Sequence, residues 1–117
     1  MIMRRLLIFA LAAAAAWGAL SAQAVSAADK LRIVTSTTDL KALTEVVTGA
    51  LADVDALQRP DQNAHDLEAR PSLMIKVRRA DVMIVNGLEL DDWADVVAQG
   101  ANNANVIPGA PGRIDAS

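Results

Sequence analysis

The sequence predicts an α/β fold in which a parallel sheet is flanked by helices. Three observations carry that expectation. Short runs of β-branched and apolar residues alternate with stretches of helical periodicity, and the connections between them are short. One run, VMIVN at 82–86, is continuously apolar, as suits a parallel strand covered on both faces. The resulting order is βαβαβαβ, which implies right-handed crossovers.

Each element has its own signal. LRIVTS at 31–36 reads as a buried strand, and TTD at 37–39 then offers N-cap side chains to a helix. Leu40, Leu43, Val47, Ala50 and Leu51 recur at helical spacing and predict that helix's apolar face. VDALQ at 54–58 is the second strand, ended by Arg59 and Pro60. A polar segment runs to Arg70, after which Pro71 suits the first turn of a helix through SLMIKVRRA. Leu73, Met74, Val77 and Ala80 share one face of it, and Arg78 and Arg79 lie near its C-terminus, where the helix dipole favours cations. VMIVN follows, and Gly87 provides the turn. A third helix is expected from near Asp91, with Trp93, Val96 and Val97 inward and Gly100 ending it. NVIPG at 105–109 reads as a fourth short strand, stopped by Pro108 and Gly109. The last residues, APGRIDAS, carry turn formers and no closing element. A parallel sheet with no helix after its fourth strand leaves apolar surface uncovered, so the chain is expected to be the truncated first part of a longer protein rather than a small complete domain.

Residues 1–24 have the pattern of a signal peptide. MIMRR is a positive n-region, LLIFALAAAAAWGAL an apolar h-region, and SAQA and AVSAA supply small residues for cleavage. The run is short for a bilayer span, and an alanine-rich block after Arg4 and Arg5 favours export over a core helix. Residues 25–117 are then the folded α/β lobe, expected in the periplasm. With Arg4 and Arg5 removed, nine basic residues face fourteen acidic ones, a net charge of −5. An acidic chain whose only aromatic after the signal is Trp93 makes nucleic acid a poor partner. The absence of cysteine leaves stability to core packing or a bound ligand, and predicts no lipid anchor.

Chemistry-bearing residues are few. His65, in RPDQNAHDLEARP at 59–71, is the only histidine, and its loop follows the second strand. Ligands of open α/β sheets bind beyond the C-terminal ends of the strands, so the position suits a site, although a lone loop histidine is more often simply solvated. A neutral imidazole suits zinc, and also manganese or iron where carboxylates supplement it. Asp66 and Glu68 are near enough to orient the ring, but an acid before a proline-started helix is explained as well by the helix dipole. Glu89, Asp91, Asp92 and Asp95 lack the spacing and central glycine of a calcium loop, and capping and solvation of the third helix account for them. Asn86 and Gly87 read as a strand-to-helix turn. Ser36, His65 and several aspartates supply the residue types of a hydrolase triad, but no Gly-x-Ser-x-Gly elbow surrounds a serine. Phosphate-loop and dinucleotide fingerprints are missing as well, so no catalytic residue and no organic cofactor are expected.

IVTSTTDLKALTEVV, followed after a strand by NAHDLEARPSLMIKVRRADVMIVNGLELDDW, resembles the N-terminal lobe of the periplasmic solute-binding proteins of zinc and manganese ABC transporters. The resemblance runs from about Leu31 to Ser117. Its most specific part is a loop histidine followed by acid, acid, proline and serine, then a helix, an Ala-Asp pair, an apolar strand, and Asn-Gly with a Trp shortly after. The resemblance implies the first lobe of a two-lobed receptor that binds one metal ion in the cleft between lobes. It implies that His65 is the first metal ligand, that the ion is a transported divalent metal (zinc first, manganese next), and that the partner is an inner-membrane ABC permease. It places the remaining ligands in later segments, and the His-rich stretch usual soon after such a segment is missing here. Structural or transport zinc sites need about four protein ligands, so one imidazole does not retain the ion alone. An interaction module or remnant lobe without metal binding is the alternative, and a small periplasmic hydrolase a third reading.

Overall fold

The computed structural model describes residues 29–117 of the chain, so the expected signal peptide at 1–24 lies outside the described residues. The order βαβαβαβ is the one observed: β1 is Leu31–Thr35, α1 Thr38–Thr48, β2 Ala52–Ala56, α2 Pro71–Val77, β3 Val82–Val85, α3 Trp93–Gly100 and β4 Arg113–Asp115. All three strand pairings are parallel, and the sheet order is β2-β1-β3-β4. The chain therefore moves one way from β1 to β2 and the other way from β2 to β3 and β4. A uniform crossover hand then puts α1 on one face of the sheet and α2 and α3 on the other.

Strand register divides the side chains in the same way. One face carries Ile33 with its partners Val54 and Val82, Thr35 with Ile84, and Ile114 opposite Ile84. The other carries Val34 opposite Met83, with Val85 two residues on. This second face makes the core: Val34, Met83 and Val85 pack with Val77 and Ala80 around α2, and with Ala94, Val97, Ala98 and Ala101 around α3. Leu73, Met74 and Trp93 close its margin, as the helical spacing predicts. Lys76 of α2 reaches Asp55 of β2 at 2.9 Å, tying this layer to the sheet's edge.

The α1 face is only partly covered. Thr37 accepts from the Leu40 N–H and caps α1, as the sequence suggests, yet Thr44 is the one buried residue of that helix. Leu43, Val47 and Leu51, expected to point inward, are 66%, 85% and 81% exposed. The helix lies against β1 and β2, so its apolar stripe borders sheet that carries no helix among the described residues. Leu43 and Val47 line a groove of about 350 Å³ with Ile33, Val82, Ile84 and Ile114. Val96, expected inward on α3, is likewise 55% exposed; Ala94, Val97 and Ala98 take the buried face.

The fourth strand differs from its expectation. NVIPG at 105–109 is a loop, and β4 is Arg113–Asp115, within the segment expected to carry no element. The reason lies in the preceding asparagines. The Asn103 amide donates to the Val77 and Ala80 carbonyls at 3.0 and 2.9 Å, and that of Asn105 to the Asp81 carbonyl at 2.7 Å. These bonds dock the loop on the α2–β3 turn and seat Val106, fully buried, in the core. Pro108 has no N–H to give a ladder, so pairing begins only after it, where the Gly112 carbonyl accepts from Met83 N at 2.8 Å. Gly112 is required there because a Cβ would stand 2.6 Å from the Asn105 carbonyl oxygen and closer still to that of Asp81.

Candidate metal-binding rim

The strand order reverses between β1 and β3, and the crevice beyond their C-terminal ends is where open α/β sheets bind ligands. Ser36 and Thr37 leave β1 at this point, Asn86 leaves β3, and the loop carrying His65 leaves β2 beside them. All three meet through side-chain hydrogen bonds.

The Asn86 amide spans the crevice. Its Nδ2 donates to Thr37 Oγ1 at 3.1 Å and to Ser36 Oγ at 3.3 Å, joining the end of β3 to that of β1. Asp91 holds Asn86 in turn. One carboxylate oxygen accepts from the Asn86 backbone N–H at 2.7 Å and from its Nδ2 at 3.2 Å, while the other accepts from Gly87 N at 3.0 Å. Asp91 is only 3% exposed, so it is neither solvated nor a spare acid of α3. It caps the turn before the helix. That turn is tight: Gly87, Leu88 and Glu89 have φ of 79°, 51° and 65°, three successive residues in the left-handed region. For Leu88 and Glu89 this conformation costs about 1 kcal/mol or more each, so the carboxylate grip is what keeps the turn closed.

Gln58 makes the second link. Its Oε1 accepts from Thr38 N at 3.3 Å and its Nε2 donates to the Gln62 carbonyl at 2.6 Å, so the start of α1 is tied to the loop after β2. Gln62 Oε1 accepts from Arg59 N at 3.0 Å and shapes the loop's entry. Parallel pairing to β1 runs on into this region, with Leu57 N and Gln58 N donating to the Thr35 and Ser36 carbonyls.

His65 sits in a single 3₁₀ turn, Ala64–Asp66, with its side chain exposed. Asn63 caps the turn by accepting from His65 N at 3.1 Å, and its amide donates to the Asp66 carboxylate at 2.9 Å. Asp66 is thus engaged in shaping the turn. The loop is fixed from across the rim: Trp93 Nε1, at the start of α3, donates to the Ala64 carbonyl at 2.7 Å. Leu67, two residues past His65, is buried and anchors the other side of the turn. His65 is therefore an exposed imidazole on a backbone held at both ends. Among the described residues, no three histidine or acidic side chains converge into a group able to hold a metal ion.

Glu89, Asp91, Asp92 and Asp95 do not form a cation site either. Asp91 is spent on the turn, and Asp95 pairs with the largely buried Arg113 of β4. Of the rim, the sequence singles out His65 alone as a metal ligand; the contacts of Gln58, Asn86, Asp91 and Trp93 emerge only when the strand ends come together. Trp93 carried a usable signal, since a lone aromatic with a polar N–H ordinarily finds a partner when partly buried.

Residues 33–115 match the family model described as zinc-uptake complex component A, periplasmic. The chain belongs to this family. The zinc-uptake component A match spans nearly all the described residues, His65 and the whole rim included. Among curated relatives, the chain is 29% identical over 66 residues to the iron-binding protein YfeA of Yersinia pestis, covering 56% of this chain and 21% of that protein. It is 33% identical over 86 residues to the manganese-binding lipoprotein MntA of Halalkalibacterium halodurans, covering 74% and 28%. The chain thus spans between about a fifth and somewhat over a quarter of these relatives' lengths. A solved structure, the SBP FpvC from P. aeruginosa in complex with a Ni²⁺ ion, superposes with a TM-score of 0.60 at 24% identity, covering 70% of this chain and 29% of that one. That likeness supports the parallel α/β fold.

Proposed function

We propose that this chain is the first lobe of an exported solute-binding protein that captures a divalent transition metal in the periplasm and delivers it to an ABC permease. Zinc is the first expectation and manganese the second. Residues 1–24 serve as the cleaved signal peptide. The observation that carries the reading is the placement of His65: an exposed imidazole, on a turn fixed by Trp93 and Asn63, at the C-terminal rim of a parallel sheet. Metal binding by relatives such as YfeA and MntA supports it.

The proposed chemistry is ligation without bond-making in the cargo. His65, as neutral imidazole, offers one ring nitrogen to the ion, and the other ligands come from outside the described residues. A ligand on a fixed backbone loses little freedom on binding, so closure of the remaining donors over the ion is not opposed by ordering this loop. Protonation removes the lone pair, so acidification weakens capture.

Titration of the exported protein with Zn²⁺ and with Mn²⁺, beside the His65→Ala variant, tests the assignment. The reading expects affinity to fall at least about tenfold on loss of a ligand. Equal affinity for the two proteins would remove His65 from the site.

A further inference from the structure

We propose that Trp93 is a positioning residue for His65: its indole N–H fixes the Ala64 carbonyl and thereby the place at which the imidazole presents its nitrogen. The inference rests on His65 being the metal ligand, and extends the site to a residue 28 positions away that touches no metal.

The geometry is direct. Ala64 immediately precedes His65, so the Ala64 carbonyl belongs to the peptide unit whose N–H is that of His65. That unit is held on both sides, by Trp93 Nε1 on the oxygen at 2.7 Å and by Asn63 Oδ1 on the N–H at 3.1 Å. A planar peptide gripped at both polar atoms has little freedom to rotate, and it fixes the His65 N and Cα from which the side chain departs. Asn63 lies within the same loop and moves with it. Trp93 does not: its ring packs against the core cluster, and it opens the helix whose preceding turn is clamped by Asp91. Of the two bonds to this peptide unit, the Trp93 bond is the one that refers the histidine to the frame of the sheet.

The chain of contacts extends further. Asp91 holds Asn86, Asn86 bridges to Ser36 and Thr37, and Gln58 returns from Thr38 to the His65 loop. The ends of β1, β2 and β3 are thus joined in one circuit, in which Trp93 makes the contact nearest the imidazole. A tyrosine or phenylalanine could fill the same apolar space, but only the indole supplies this N–H, which separates the positioning role from packing.

Co²⁺ is a suitable probe, because the pseudocontact shifts it induces in amide signals report where the ion lies relative to the folded frame. They are to be measured on the exported protein with its remaining metal ligands present, for the wild type, Trp93→Phe and His65→Ala. The wild type should fit one ion position beside His65, and His65→Ala should abolish the shifts. Trp93→Phe should keep the signals of β1, β3 and the core unchanged while the Co²⁺-induced shifts fall severalfold, as the ion is averaged over several positions. Shifts of full size and unchanged pattern in Trp93→Phe, with His65→Ala still abolishing them, would overturn the positioning role alone. Shifts that survive His65→Ala would overturn the ligand assignment and this inference with it. Should Trp93→Phe fail to fold, hydrogen exchange at the Trp93 indole in the wild type decides: strong protection supports the bond to Ala64, and exchange at the rate of a free indole overturns it.

Discussion

Asp91 grips Asn86 twice, accepting from its backbone N–H at 2.7 Å and its side-chain amide at 3.2 Å, and so fixes the residue that crosses the crevice between β1 and β3. The carboxylate is 3% exposed and also accepts from Gly87 N. Charged acceptors make the stronger class of hydrogen bond, and here one side chain satisfies three donors. Polar burial, more than apolar contact, shapes the C-terminal rim of this sheet.

Removing that carboxylate leaves the Asn86 and Gly87 backbone N–H groups unpaired inside a turn already held in left-handed conformations, while the Asn86 amide keeps Thr37 and Ser36. Asp91→Ala should destabilise the fold by about 3 kcal/mol, with Asp91→Asn losing less because one acceptor oxygen remains. Urea unfolding followed by far-UV circular dichroism measures both. A loss below about 0.5 kcal/mol for Asp91→Ala, the range of an ordinary surface substitution, would contradict the role given to Asp91.

The two faces of the sheet should respond differently to truncation. Met83 is fully buried between the sheet and the α2–α3 layer, and Met83→Ala should cost about 2 to 5 kcal/mol. Val47, on the apolar side of α1, is 85% exposed, and Val47→Ser should stay within about 0.5 kcal/mol of the wild type. The same substitution should lower the binding of a hydrophobic dye, since Val47 lines the open groove with Ile84 and Ile114. Comparable destabilisation by the two substitutions would mean that the α1 side is packed as tightly as the core.

Much of this architecture was legible in the residues. VMIVN announced a strand, although of its two faces only that of Met83 and Val85 is buried and that of Val82 and Ile84 lines the open groove; Pro71 marked the first turn of α2, and Thr37 capped α1 as its position in TTD suggests. The family was legible as well, because it rests on an order of short motifs that survives without any tertiary information. What was not legible depended on neighbours distant in sequence. The α1 periodicity correctly gave a helix, but its stripe says nothing about how far the opposing sheet is covered. NVIPG had the composition of a strand, yet Asn103 and Asn105 find carbonyls on the α2–β3 turn and dock that segment as a loop. The sequence assigns Asp91 to capping and solvation at the start of the third helix, and only the meeting of β3 with that start shows it buried. For the candidate site, His65 stood out through its chemistry; the residues that hold it, Gln58, Asn86 and Trp93, come from three other stretches of the chain.

The central claim, that His65 is a metal ligand, is tested most directly by ¹⁵N NMR of its imidazole as Zn²⁺ is added to the protein. His65 is the only histidine of these 117 residues, and its two ring nitrogens are identified by their loss in His65→Ala. Ligation predicts that one ring nitrogen moves into the metal-bound range while the other stays protonated, and that acidification reverses the change. Zn²⁺ binding that shifts signals elsewhere and leaves both ring nitrogens of His65 unmoved would contradict it.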